Sequence, residues 1–237
     1  MTDFDGRVAI VTGAAGNLGS ELCRKLAERG AQIAMLDLQT IPLAKVKATL
    51  PADTDAEAFA VDLTDADSVA TAVAAVKQRF GGIHVLANVA GGFDMGPTLD
   101  ETDDATWDRM MGLNARSVFN MCRAVTPLMR EAGHGRIVNV SARAALAGKG
   151  RMAPYCASKA AVITLTESLA EETKHQGITV NCILPGTVDT PQNREAMPDQ
   201  DHDAWVPPAA LADVMLFLAS DAARCVTGAA VPVYGRS

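Results

Sequence analysis

Short β-branched runs alternate with longer helical stretches along the whole chain, and this alternation restricts the fold more than any other feature. Residues 8–11, 32–36, 58–61, 83–86, 137–140, 179–183 and 230–233 read as seven strands. Helical patterns lie between them near 18–29, 42–49, 66–79, 104–131, 154–175 and 208–219. Near-continuous apolar strands separated by helices predict a parallel sheet covered on both faces, and right-handed crossovers make it doubly wound. No linker, repeat or low-complexity segment divides residues 1–237, which reads as one domain. The one irregular tract, about 185–208, is rich in proline, aspartate and glutamine and is expected to be a loop that shapes a site.

The first strand runs into a glycine-rich turn, Gly13, Gly16, Asn17, Leu18 and Gly19, which opens a helix. A dinucleotide site needs this context, because a tight turn lets the backbone approach a pyrophosphate at the positive end of a helix. Glycines also serve any turn that needs positive φ, so the turn alone is not decisive. The second strand ends at Asp37, where a carboxylate can accept from ribose hydroxyls and would repel a 2′-phosphate. No lysine or arginine lies in residues 12–20 or 38–44 to hold such a phosphate, so NAD(H) is expected rather than NADP(H). The other reading is that Asp37 caps a strand end in solvent.

Tyr155 and Lys159 stand one helical turn apart, on one helix face. An ammonium beside a phenol lowers the phenolic pKa, and a tyrosine so tuned can exchange a proton with a carbonyl oxygen. A solvated helix face with the same spacing is the competing reading.

The rest of the composition excludes several classes. A formal net charge of −7 argues against a nucleic-acid or anionic-membrane surface. No apolar run reaches membrane-spanning length. The N-terminal residues carry acid where a signal peptide carries base, and the five scattered cysteines form no Cys-x-x-Cys pair. A cytoplasmic protein with no metal and no disulfide framework is expected.

Together these residues resemble the short-chain dehydrogenase/reductase family in its shorter one-domain form. The resemblance spans nearly the whole chain: the turn at Gly13–Gly19, Asp62 after the third strand, Asn88, Ala90 and Gly91 after the fourth, Asn114, Tyr155 with Lys159, and the segment from Pro185 to Thr190. It implies a seven-stranded Rossmann sheet of order 3-2-1-4-5-6-7 and hydride transfer between NAD(H) and a small alcohol or carbonyl compound. It also implies roles. Tyr155 would be the general acid/base, Lys159 would bind the nicotinamide ribose and tune the phenol, and Asn114 would hold a relay water. For Asn114 the plainer reading is a mid-helix side chain bonding a backbone carbonyl. Asp62 and Leu63 would meet the adenine, with Asp37 and Leu38 beside the adenosine. Pro185, Gly186, Val188 and Thr190 would pass the nicotinamide.

Three positions depart from the family pattern. Asn17 stands where a glycine is usual, Val89 where a second asparagine is common, and Ala142 where the catalytic serine belongs. Ser141 is adjacent, but neighbouring strand residues face opposite ways, so it reaches the site only if the strand end distorts. The stretch 142–146 resembles the dihydropteridine reductase branch, which implies a second possibility, reduction of an activated quinonoid substrate. A third is a nucleotide-binding protein with little catalysis.

Phe93 and Asp94 after the fourth strand, Arg143 after the fifth, and Trp205 in the 185–208 tract are nominated as substrate residues. Arg143 could clamp a carboxylate or be an ordinary surface arginine; Trp205 could stack on a ring or pin its tract to the core. The helices near 104–131 and 154–175 carry apolar residues on more than one face (Met110, Met111, Val118, Phe119, Met121; Ile163, Leu165, Leu169), which predicts a homodimer or homotetramer. The family builds its four-helix interface from these two helices.

Overall fold

The computed structural model describes residues 3–236; Met1 and Thr2 of the N-terminal segment and Ser237 lie outside the described residues. Seven parallel strands form one sheet in the order β3-β2-β1-β4-β5-β6-β7. They are β1 (Val8–Thr12), β2 (Gln32–Asp37), β3 (Ala56–Ala60), β4 (Val85–Asn88), β5 (Gly135–Val140), β6 (Ile178–Pro185) and β7 (Ala230–Val233). The expected architecture and strand order are both present. β3 starts two residues before its expected position and β4 ends two residues after it, since alanine and asparagine at strand ends carry little strand signal.

The helices are α1 (Asn17–Glu28), α2 (Thr40–Lys47), α3 (Ala66–Phe80), α4 (Asp104–Met110), α5 (Ser117–Ala132), α6 (Ala153–Thr173), α7 (Pro191–Ala196) and α8 (Pro208–Ala219). They cover the sheet on both sides. One apolar cluster packs Leu22, Leu26, Leu43 and Met215 on Ala9, Ile33 and Met35; the other packs Val73, Val125, Val162 and Ala170 on Ile10, Leu86 and Ile137. Alternate residues of each strand thus serve opposite cores.

Two expectations require correction. The helix expected near 104–131 is not uniform: a π-helical segment, Met111–Arg116, separates α4 from α5 and carries the buried Asn114. π-bulges insert a residue into an otherwise regular helix and leave no propensity signature. The 185–208 tract is not simply irregular. Thr190 Oγ1 accepts from Asn193 N at 3.2 Å and Pro191 follows, so α7 has the ordinary start signal of a helix.

The apolar surplus on α4 to α6 is divided. Met110, Val118 and Met121 are buried within the chain. Phe119 is exposed and Leu165 and Leu169 half-buried, along a groove of about 380 Å³ between α5 and α6. Among the described residues no helix is long and apolar enough to cross a membrane, and no cluster of three or more metal-ligating side chains occurs.

Candidate active site

The strand order reverses between β1 and β4, where loops leaving the C-terminal strand ends diverge and open a crevice. Thr12 at the end of β1 fastens one wall, its Oγ1 accepting from Val89 N at 3.0 Å and Ala90 N at 3.1 Å.

The glycine turn is packed too tightly for side chains. A Cβ on Gly13 would lie 2.8 Å from Ala90 Cα, and one on Gly19 2.1 Å from the Gly13 carbonyl oxygen. Gly16 caps α1 without a side-chain hydrogen bond, and no acid occupies the first turn, so the helix terminus presents its N–H groups to an anion. Asp37 crosses to the same turn: Oδ2 accepts from Ala15 N at 3.1 Å and Oδ1 from Leu38 N at 2.8 Å. Leu38 beside it is exposed. These features fit a dinucleotide. Asn17 Nδ2 donates to Gln192 Oε1 of α7 at 3.0 Å, so the 185–208 tract closes over the turn.

Lys159 is buried, and its Nζ donates to Val140 O at 2.9 Å. A Cβ on Gly91 would lie 2.8 Å from Asn114 Oδ1 and 3.0 Å from Lys159 Nζ, so the loop after β4 meets both candidate residues at a glycine. Asn114 Oδ1 accepts from Gly92 N at 2.9 Å, while Nδ2 donates to Gly92 O and to Ser158 Oγ, both at 3.1 Å. Its side chain thus bonds the Gly92 backbone and the Ser158 hydroxyl. Ser158 Oγ donates onward to Tyr155 O at 2.8 Å. This serine was missed by sequence reasoning, although it lies three residues after Tyr155 on the same helix.

Tyr155 meets the Phe93 ring edge-on, with centroids 5.0 Å apart. The phenol's pKa corrects the expectation drawn from its spacing to Lys159. Burial, with a smaller contribution from Cys156, pushes it up to about 12 rather than lowering it. Burial likewise pushes Lys159 down to about 8. Each group is desolvated on its own account, with the ammonium turned to the Val140 carbonyl.

Other nominated residues are distributed unevenly. Ser141 is buried and its Oγ donates to Lys159 O at 2.7 Å, while Ala142 is extended and buried. Asp62 holds Thr64 through its main-chain N–H at 2.9 Å and its hydroxyl at 2.7 Å, and these bonds keep its carboxyl below the usual range. Asn88 and Leu63 have core side chains. Asn88 Nδ2 donates to Asn139 Oδ1 at 2.8 Å, and Leu63 packs on the α3–α5 side of the sheet, so only their backbones can face a cofactor.

Gly186 N donates to Val233 O at 3.0 Å beside the end of β6 at Pro185, and Val188 pairs with Val206. Asp94 is paired with Arg109, and the Arg143 guanidinium lies 5.0 Å from the centre of the Tyr234 ring. Trp205 is buried against His202, which fits the pinning role and leaves little ring to offer a substrate.

The family model described as short chain dehydrogenase matches residues 7–201. D-threitol dehydrogenase of Mycolicibacterium smegmatis is 37% identical, the match covering 98% of this chain and 93% of that protein. The 2,5-dichloro-2,5-cyclohexadiene-1,4-diol dehydrogenase LinX of Sphingobium indicum is 34% identical over 97% and 95%. A crystal structure of NAD+-bound xylitol dehydrogenase superimposes with a TM-score of 0.91 at 29% identity, covering 98% of this chain and 99% of that one. The chain therefore belongs to the short-chain dehydrogenase/reductase family of oxidoreductases.

Proposed function

We propose that the protein is an NAD(H)-dependent oxidoreductase that interconverts a small alcohol and its carbonyl compound, with Tyr155 as the general acid/base. The observation that carries this reading is the meeting of Lys159 Nζ and Asn114 Oδ1 at Gly91, one helical turn from Tyr155 on α6. When bound, a nicotinamide would supply or accept the hydride. Tyr155, protonated at neutral pH, is in the form that donates to a carbonyl oxygen during reduction. That donation leaves a phenolate, which a charged Lys159 favours, and in oxidation the phenolate takes the hydroxyl proton and returns to the phenol. Asn114 holds the loop after β4 against α6, and the N–H groups of the α1 terminus bind pyrophosphate.

Asp37 supports NAD(H) over NADP(H), since a 2′-phosphate there would face a carboxylate with no cation between residues 38 and 44. The NAD+-bound state of the xylitol dehydrogenase neighbour agrees with that choice. Relatives that act on threitol and on a chlorinated cyclic diol support a secondary alcohol as substrate. One domain, a cytoplasmic location, and a homodimer or homotetramer through the α5–α6 groove complete the proposal; exposed Phe119 and the groove volume support the interface.

A second reading is favoured by Ala142 and the commitment of Ser141 to α6. With one hydroxyl donor at the reacting oxygen, an activated quinonoid substrate would react more readily than a simple ketone. A screen of diols, ketones and a quinonoid dihydropterin with both cofactors separates the two readings. Tighter binding of NADPH than of NADH overturns the cofactor assignment, and turnover of the dihydropterin alone favours the second reading.

A further inference from the structure

We infer that Arg151 is a positioning residue that, with Asn114, fastens residues 92–96 so that Phe93 lies across Tyr155 as a fixed aromatic wall of the substrate pocket. This role rests on the proposal above that Tyr155 is the proton donor.

Among the described residues, Arg151 is the one non-glycine residue with positive φ, at 63°. Side chains disfavour that region, and such a conformation persists where surrounding contacts over-determine it. Here the contacts converge on Gly96. Gly96 N donates to Arg151 O at 3.0 Å, and Arg151 Nε donates back to Gly96 O at 2.9 Å. Asn114 clamps Gly92 at the other end of the segment through both its N–H and its carbonyl. Asp94, between them, is tied to Arg109. A five-residue stretch containing two glycines would otherwise be mobile, yet each end is held by two hydrogen bonds.

Phe93 sits inside this clamp. Its ring packs edge-on against Tyr155, at an interplanar angle of 84°, while 59% of the residue stays exposed. A large aromatic side chain left that open beside a reacting hydroxyl is a surface for a ligand to cover. Within the secondary alcohols proposed above, its chemistry adds affinity for a reacting carbon flanked by an apolar ring or chain. Phe93 also shields the phenol from water, which agrees with the raised pKa of Tyr155.

The chain has two tyrosines, Tyr155 and Tyr234, so phenolate absorbance can be assigned by difference against Tyr155→Phe. The test is that titration on the cofactor-free protein between about pH 9 and 11, with circular dichroism verifying the fold at each point. Glycine accepts the backbone at position 151, so Arg151→Gly removes the side-chain bond without disturbing the turn. Tyr155 should remain protonated across the range in wild type and in Arg151→Lys. It should titrate about one unit lower in Phe93→Ala and Arg151→Gly. With substrates, KM for a ring-flanked ketone should rise about three- to tenfold in Phe93→Ala, with kcat and the KM for a polyol changed less.

A Tyr155 titration in Arg151→Gly that coincides with wild type overturns the inference. Because the titration needs no turnover, its result is independent of the outcome that would defeat the proposed function, the absence of any alcohol or carbonyl activity.

Discussion

Ser141 Oγ donates to the main-chain carbonyl oxygen of Lys159 across 2.7 Å, binding the end of β5 to the backbone of α6. The period of two along a strand puts the serine on the face opposite Ala142, and no bulge brings it back. Ser141→Ala should therefore leave turnover within about threefold of wild type and cost about 0.5–1.5 kcal/mol of stability, the value of one buried hydrogen bond. Ala142→Ser should raise the rate on unactivated ketones by about tenfold or more if a second donor is what the site lacks. Steady-state kinetics and urea unfolding check both. A large loss of kcat in Ser141→Ala would place that hydroxyl in the chemistry.

Lys159 is buried at a cost to the folded state. Its folded pKa of about 8 lies below the ordinary 10.5, so the unfolded chain binds more protons between those values. Wild-type stability should accordingly rise with pH from about 8 to 10.5, and the full penalty applies below pH 8. Lys159→Met should unfold about 1–3 kcal/mol later than wild type near pH 7 while losing activity, and the gap should close by about pH 10.5. Lower stability of the variant at neutral pH would show that the bond to Val140 outweighs the desolvation.

A second titratable cluster lies at the opposite end of the sheet. His134 pairs through Nε2 with Arg7, and both Arg7 and Arg136 reach Asp221, at 2.6 and 3.0 Å. Burial, then Arg136 and Arg7, push the His134 pKa down to about 4, against the pull of Asp221. A lowered histidine pKa means the unfolded state gains the proton first as pH falls. Stability should be lost between about pH 6.5 and 4, by about 1–2 kcal/mol from this group. His134→Gln should flatten that part of the pH–stability curve. An unchanged slope would remove His134 from the acid response.

The fold was largely legible because seven apolar runs with helical spacers admit few other packings, and the nearness of Tyr155 to Lys159 because the two share a helix face whatever surrounds them. What was hidden depends on tertiary contact. Asn88 reads as following a strand, but β4 runs through it and its amide serves Asn139 in the core. The direction of the Tyr155 pKa depends on burial, which spacing does not reveal. The clamp from Arg151 to Gly96 joins residues 55 apart through a backbone conformation that arginine seldom signals. Helix α7 was concealed by prolines that read as loop, although Thr190 and Pro191 begin it in the usual way.

The most direct test of the account is Tyr155→Phe, with turnover measured beside NADH affinity. Removing one hydroxyl from a residue whose ring packs against Phe93 changes little of the fold. The account predicts a fall in kcat of about 10²–10⁴ with the NADH dissociation constant within about twofold of wild type. Undiminished turnover in this variant would contradict the assignment of Tyr155 as proton donor, and with it the proposed mechanism.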